Sequence, residues 1–175
     1  MIEENLTDKV KEGHVMKKFI LVALSVAAIA ANSAYAQSGG PLLFGGKVGF
    51  SKPHGSNNDS GVNVFGVLGQ RIENNVYWEA ELGLNLIDGD IDRGRANNDW
   101  SINSIAGYGV FRTNGSTHLK AKIGVSYWDD DFDDDINLSA GVGIGIRAGS
   151  GVIDVEYTQI NPYADYITVG YMLRF

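Results

Sequence analysis

Apolar residues occupy every second position in several segments of this chain. The final segment, 165–175, shows the pattern clearly, with apolar side chains at Ile167, Val169, Tyr171, Leu173 and the terminal Phe175. Alternation with a period of two places successive side chains on opposite faces of a β-strand, so one face of this strand is apolar and the other is mixed. A soluble sheet rarely ends in an apolar ribbon that faces water. In a strand that closes a barrel inside a lipid bilayer, such an apolar face contacts the lipid.

Eight segments have a strand-like pattern: 41–51, 61–71, 76–87, 100–111, 117–128, 136–147, 151–159 and 165–175. Short connections follow the second, fourth and sixth segments, and longer polar connections follow the first, third and fifth. An even number of antiparallel strands with short turns at one end and long loops at the other is typical of outer-membrane barrels. The sequence therefore predicts an all-β fold, an eight-stranded antiparallel up-and-down transmembrane β-barrel.

The charged residues of the strands indicate which face points outward. They lie on the mixed faces and carry both signs: Lys47, Glu79, Glu81, Lys120, Lys122, Arg147, Asp154, Glu156 and Arg174. A Lys or Arg on the lipid side at mid-bilayer costs about 2–4 kcal/mol, whereas opposite charges inside a barrel can neutralise one another. We therefore expect these charges in the interior. Glu79, Glu81, Lys120 and Lys122 could form a proton- or ion-conducting relay, but a plug of salt bridges is the commoner arrangement of such charges. The alternative is a soluble, lipocalin-like periplasmic barrel with an apolar interior that binds a small apolar ligand.

Aromatic residues of the strands fall near two levels of the expected barrel. The level at the short turns would hold Phe44, Trp78, Tyr108, Tyr171 and Phe175. The level at the long loops would hold Phe50, Trp100, Tyr127 and Tyr157. Amphipathic rings prefer the two membrane interfaces, so the sequence predicts two aromatic belts on the outer wall.

The start of the chain has the layout of a secretory signal peptide. Lys17 and Lys18 precede an apolar run, 19–30, and a small-x-small cleavage motif ends at Ala36. The run is too short for a membrane-spanning helix, which needs about 20 apolar residues. Translation is expected to start at Met16, close to the basic pair. The predicted division is a misassigned extension at 1–15, a signal peptide at 16–36 and an outer-membrane β-barrel domain at 37–175.

Composition limits the function classes further. The formal net charge is -7 and no basic stripe is visible, which disfavours nucleic acid as a partner. The chain has no cysteine, so it has no disulfide framework. The mean hydropathy of -0.08 argues against a helical membrane protein but not against a barrel, because alternating strands average to neutral hydropathy.

The chain resembles the small eight-stranded outer-membrane β-barrels of Gram-negative bacteria, such as the opacity-type proteins and the membrane domain of outer membrane protein A. The resemblance covers 37–175 and rests on the strand number, the loop asymmetry and the ending Tyr-Met-Leu-Arg-Phe. It implies a location in the outer membrane after secretion to the periplasm, in contact with outer-membrane lipid and lipopolysaccharide. It also implies that Tyr171, Leu173 and Phe175 form the signal that the barrel assembly machinery recognises.

One acidic cluster is a candidate cation site. Six of the seven residues at 129–135 are aspartates. Asp129, Asp131 and Asp133 could bind a divalent cation or a basic partner at the cell surface. A solvated, self-repelling loop tip is the simpler interpretation.

A second acidic group has the spacing of an EF-hand calcium loop. It consists of Asp88, Asp90, Asp92 and Asp99. Arg93 occupies the position where that loop needs glycine, and no helices flank the segment. We expect neither a bound metal nor a cofactor.

The sequence gives little support for catalysis. A hydrolase needs a nucleophile beside a base and an orienting acid. The predicted mature chain has only His54, in a loop, and His118, near the short-turn rim. We expect no enzyme activity and no wide pore, because the side chains of an eight-stranded barrel about fill its interior. We expect a structural role or a role in cell-surface interactions, in envelope integrity or adhesion. A host or surface ligand is the candidate partner of the loops.

Overall fold

The computed structural model describes residues 40–53, 60–92, 97–130, 134–161 and 164–175. Ten β-strands lie in these ranges: β1 Leu42–Pro53, β2 Gly61–Glu73, β3 Val76–Ile87, β4 Gly89–Asp92, β5 Asn97–Trp100, β6 Ile102–Arg112, β7 Thr117–Asp130, β8 Asp134–Ala148, β9 Gly151–Asn161 and β10 Ala164–Arg174. No helix in these ranges is both long and apolar enough to cross a membrane.

Eight of the strands close into one antiparallel barrel in the order β1-β10-β9-β8-β7-β6-β3-β2. β1 completes the ring by pairing with β10, from Leu43 opposite Arg174 to Pro53 opposite Ala164. Closure leaves no unpaired sheet edge, which is the condition for strands to cross a bilayer. The predicted eight-stranded antiparallel barrel is confirmed.

The remaining strands, β4 and β5, form a separate two-stranded sheet in the connection between β3 and β6. Gly89 lies opposite Trp100, and Asp92 lies opposite Asn97. This hairpin was not expected, because its residues are mostly Asp and Asn, which are rare in strands.

The two ends of the barrel differ in their connections. We call the end with the connections 74–75, 113–116 and 149–150 the short-turn end, and the opposite end the long-loop end. Asn74 and Gly149 take positive φ values of 34° and 62° in two of these turns, a conformation that Asn and Gly adopt at low cost. The chain terminus lies at the same end, where the Phe175 N–H donates to the Leu42 carbonyl at 2.9 Å.

Burial shows that the apolar faces point outward. Leu138 and Ile123 are 79% and 66% exposed, whereas Lys47 and Glu79, on the opposite face of their strands, are 5% and 1% exposed. The soluble, lipocalin-like alternative is therefore wrong, since its apolar residues would fill the interior. The expected outward orientation is confirmed.

The aromatic belts form only in part. Of the rings expected in the belts, Phe44, Phe50, Tyr157, Tyr171 and Phe175 are exposed on the outer wall, and Phe111 is exposed there as well. Trp78 and Tyr127 occupy outward positions but are 9% and 2% exposed. The side chain of Trp100 lies outside the described part of the structure. Tyr108 does not belong to a belt at all, because it faces the interior.

Candidate functional site

The barrel interior contains a band of buried charged side chains. Each is 7% exposed or less: Lys47 on β1, Glu79 and Glu81 on β3, Arg112 on β6, Lys120 and Lys122 on β7, and Asp154 and Glu156 on β9. Four are cations and four are carboxylates, so the band is formally neutral when His118 is uncharged. We call these eight residues the interior charge network.

Glu156 is the most connected carboxylate of the network. Its Oε2 lies 2.8 Å from the Lys47 Nζ and 3.1 Å from the Lys122 Nζ, and its Oε1 lies 2.6 Å from the Lys120 Nζ. Glu81 bridges two of the same lysines, at 2.6 Å from Lys47 and 2.8 Å from Lys122. Strands β3 and β9 are thereby both joined to β1 and β7 across the lumen.

A second group of contacts lies closer to the short-turn end. Glu79 accepts from the Arg112 Nη2 at 2.6 Å and from the Lys120 Nζ at 2.5 Å. Asp154 accepts from the same Arg112 nitrogen at 3.2 Å, and its other oxygen lies 3.5 Å from the His118 Nε2. Lys120 therefore links the two groups, because it also donates to Glu156.

Pairing is what makes this burial tolerable. A buried ion loses several kcal/mol of hydration, which attraction offsets only where the partner is close and the remaining hydrogen bonds are made. All four cations of the network lie within 2.8 Å of a carboxylate oxygen. Removing one member would leave its partners charged and buried, so the network behaves as a unit.

Glycines on β8 make the room for these side chains. Gly141, Gly143 and Gly145 face inward, on one of the three barrel strands that contribute no charge to the network. A Cβ on Gly143 would lie 2.8 Å from the Glu156 Cγ, and one on Gly141 would lie 2.9 Å from the Lys122 Cε. Real Cβ atoms do not approach so closely, and the carbonyl oxygens of Val155 and Tyr157 lie 2.7 and 2.8 Å from the same two points, so these positions exclude larger residues.

Aromatic and hydroxyl groups flank the network. The Tyr108 hydroxyl lies 2.9 Å from the Ser139 Oγ, and the Lys122 Nζ lies 4.3 Å from the centre of the Tyr108 ring. The Arg112 guanidinium lies 5.5 Å from the centre of the Tyr77 ring. Lys122 and Arg112 thus each gain a cation–π contact in addition to their ion pairs.

The prediction for Tyr108 was wrong because segment 100–111 carries no charge to fix its phase. Its cross-strand partner Glu79 faces inward, and paired residues share a face. The exposed positions of this strand are Gly109 and Phe111, on the outer wall.

Two of the residues predicted in the interior lie elsewhere. Arg147 and Arg174 are in the inward register, but they are exposed at the short-turn mouth. They are the last inward residues of β8 and β10, so no further layer covers them. The structure places the other seven predicted charges inside the barrel.

Arg112 and His118 are members of the site that the sequence analysis did not identify. The sequence pattern ended the fourth segment at 111 and left Arg112 in a turn. β6 continues through Arg112, which is 3% exposed, and His118 is 7% exposed. Val110 and Tyr108 lie two and four residues before Arg112 and face inward, and continuing their alternation was the signal that could have found Arg112.

The acidic loop residues are arranged differently from a calcium loop. Asp90 on β4 lies opposite Asp99 on β5, in an antiparallel pair of strands. The exposed Asp88 accepts a hydrogen bond from the Asn85 side chain. Asp92 ends β4, opposite the start of β5.

The cluster at 129–135 is covered only in part. Asp129 lies near the end of β7, whereas Asp131 and Asp133 lie outside the described residues. Within the described ranges, no group of three or more His, Cys, Asp or Glu side chains is placed to hold a metal ion.

The three terminal residues expected to act in assembly lie on the outer wall. Tyr171 and Phe175 are 41% and 72% exposed, and Leu173 is half-buried. The Tyr171 hydroxyl donates to the Ala148 carbonyl at 3.2 Å. The row is continuous and faces away from the lumen.

Comparisons with known proteins agree with this architecture. A family model described as outer membrane protein beta-barrel domain matches residues 19–175. No curated protein matches the chain. Similar solved structures include a de novo designed transmembrane β-barrel, with 18% identity and a TM-score of 0.54, covering 79% of this chain and 98% of that one.

Two natural proteins have the same fold. Neisserial surface protein A has 14% identity and a TM-score of 0.51, covering 77% of this chain and 96% of its own. The outer membrane protein OprG from Pseudomonas aeruginosa has 13% identity and a TM-score of 0.51, covering 78% of this chain and 97% of its own. At these identities the similarity shows the fold alone. Because the family match spans residues 19–175, the chain belongs to the outer-membrane β-barrel family and resides in the outer membrane of a Gram-negative bacterium.

Proposed function

We propose that this protein is a non-catalytic barrel with a closed lumen that anchors acidic loops at the cell surface, in a role in envelope integrity or adhesion. The observation that carries the proposal is the interior charge network. Its four cations and four carboxylates cross the lumen in mutual contact, and apolar side chains such as Leu43, Val67 and Met172 are buried inside the same wall. Outer-membrane lipid surrounds the barrel.

The pairing favours a plug over an ion-conducting relay. A relay needs groups that exchange partners with water or with a passing ion. Here Glu79, Glu81 and Glu156 each accept from two or more cations, and all are 7% exposed or less. Moving an ion past them would break several charge-assisted bonds in a medium of low dielectric constant.

The closed lumen has an electrical consequence. The pure protein in a planar bilayer is expected to give no large, stable conductance steps, because its charges are paired across the lumen. Single-channel recording in potassium chloride measures this directly, with detergent buffer alone as the control. Reproducible large steps from pure, folded protein would contradict the plug.

A catalytic role finds no support in the interior. His118 contacts Asp154 and Arg112, at 3.5 and 3.4 Å, and no serine, threonine or cysteine is bonded to it in the part of the chain that the structure describes. A histidine between an acid and a guanidinium lacks the adjacent nucleophile that acyl transfer needs.

The long-loop end supplies the surface chemistry. Asp88, Asp90, Asp92 and Asp99 lie in or beside the β4–β5 hairpin, and residues 129–135 add six aspartates. Such loops repel anionic surfaces unless divalent cations bridge them, and they attract basic partners. Lipopolysaccharide bridged by divalent ions, or a basic host or surface ligand, fits this charge.

Exposure of these loops can be tested on whole cells. An endoproteinase that cleaves before aspartate is expected to cut within 129–135 on intact bacteria, because the family places its long loops outside. A variant with all six aspartates of this segment changed to asparagine provides the matched control. Cleavage only after the outer membrane is permeabilised would sink the proposed surface role.

The outward row of Tyr171, Leu173 and Phe175 is proposed to be the assembly signal. Phe175→Ala is expected to lower the amount of heat-modifiable, folded barrel in the outer membrane severalfold. Phe50→Ala removes an equally outward ring, 58% exposed, far from the terminus and serves as the control. Equal losses in both variants would show that only an aromatic side chain on the wall matters, not the terminal row.

A further inference from the structure

Four strands of the barrel run toward the short-turn end, and each carries an arginine as its last inward residue. These are Arg71 on β2, Arg112 on β6, Arg147 on β8 and Arg174 on β10. Their direction follows from the ladder, because directly opposed residues share a face. The opposed residues are Tyr77, Lys120, Val152 and Leu43, all of them buried inside the barrel.

The four arginines divide into one that is neutralised and three that are not. Arg112 is bonded to Glu79 and Asp154 and belongs to the neutral interior charge network. Arg71, Arg147 and Arg174 are exposed, and among the described residues none of them makes an ion pair.

Apart from Glu79 and Asp154, which pair with Arg112 in the interior charge network, the described acidic side chains near this mouth face elsewhere. Glu73 lies opposite Val76, which is 44% exposed on the outer wall, so Glu73 belongs to the outer face. The terminal residue Phe175 continues the outward row of β10. The short-turn mouth therefore has an excess of positive charge, whereas the long-loop end is acidic.

A small polar cleft opens at this mouth. It has a volume of about 40 Å³, and its lining includes Arg112, Arg147, Arg174, His118 and Thr113. No carboxylate lines it. The buried Nε of Arg112 has no hydrogen-bond partner in the described structure, which leaves a donor unsatisfied beside the cleft.

We propose that this cleft binds a phosphate-type oxyanion. Guanidinium groups form paired, charge-assisted hydrogen bonds with phosphate oxygens, and three arginines converge here. A volume of about 40 Å³ holds roughly three water-sized groups, which suits the oxygens of one phosphate and not a whole nucleotide or sugar. The source is either the headgroup phosphate of a lipid in the leaflet at the short-turn end or a soluble phosphate.

The inference is independent of the closed lumen and of the acidic loops. It depends on the cleft at the short-turn mouth and on the arginines that line it. A negative result in the conductance or proteolysis test would not contradict the oxyanion site. Absence of oxyanion binding would not contradict the closed lumen or the surface loops.

The first test uses inorganic phosphate. Folded protein in dodecyl maltoside is titrated by calorimetry, and wild type is expected to show saturable binding. Arg147→Gln should weaken that binding about tenfold, because one charge-assisted pair is lost. Lys52→Gln removes one positive charge from the exposed rim at the long-loop end and should change it less than twofold.

A second measurement identifies the source of the oxyanion. Native mass spectrometry compares retention of dioleoylphosphatidic acid with that of dioleoylglycerol, which has the same chains without the phosphate. Selective retention of phosphatidic acid that Arg147→Gln abolishes assigns the cleft to a lipid headgroup, and phosphate binding without it assigns the cleft to a soluble anion.

Heat-dependent gel mobility establishes that each variant is folded. The proposal is overturned if wild type shows no saturable binding of either probe. It is equally overturned if folded Arg147→Gln and Lys52→Gln bind both probes as wild type does.

Discussion

Glu156→Gln is expected to lower the free energy of unfolding by about 3–5 kcal/mol, the usual cost of removing one partner from a buried ion pair. Glu156 contacts three lysines within 3.1 Å and is 2% exposed. The amide fills the same space but carries no charge, so four cations then face three carboxylates in the interior. Urea titration of the folded barrel in micelles, followed by tryptophan fluorescence and linear extrapolation, measures the loss.

Two variants separate the effect of pairing from that of substitution. Glu73→Gln removes an exposed carboxylate and should change stability by less than about 0.5 kcal/mol. Glu156→Gln combined with Lys122→Met restores three cations and three carboxylates, and should recover more than half of the loss. A double variant no more stable than the single one would show that balance of charge does not hold the network together.

The fold was predictable because the bilayer imposes a simple rule on the sequence. Apolar residues at every second position, with charge confined to the other face, specify both the strands and their orientation. In β2 alternation alone does not fix the direction, since both of its faces carry apolar residues. The structure gives the reason: Phe65 and Val67 are buried inside, beside the charged band, whereas Val62 and Val64 lie on the half-exposed outer face.

The contacts of the site could not be read from the sequence in the same way. Lys47 and Glu156 are 109 positions apart and become partners only through closure of the barrel and the register of its strands. Alternation indicates which residues face the lumen, but it does not give their positions along the barrel axis. Arg112 was missed for a related reason, since its strand extends one residue beyond the pattern that defined it.

Ile123→Arg is expected to destabilise the barrel in lipid by about 2–4 kcal/mol, because it places a guanidinium on the lipid side near mid-bilayer. Ile123 is the seventh of the 14 residues of β7 and is 66% exposed. Its cross-strand partners are Gly109 and Ala140, whose small side chains cannot shield an arginine from the hydrocarbon. Equilibrium urea unfolding in phosphatidylcholine vesicles gives the change in free energy.

Leu86→Arg is the matched control, because Leu86 is 62% exposed on the same outer wall but lies at the long-loop end of β3. An arginine near the interface reaches the headgroups and costs only about 0–1 kcal/mol. The difference between the two sites therefore reports depth in the bilayer and not the change of side chain. A wall that faced water would tolerate both substitutions equally, so equal effects at Ile123 and Leu86 would refute the transmembrane placement of β7.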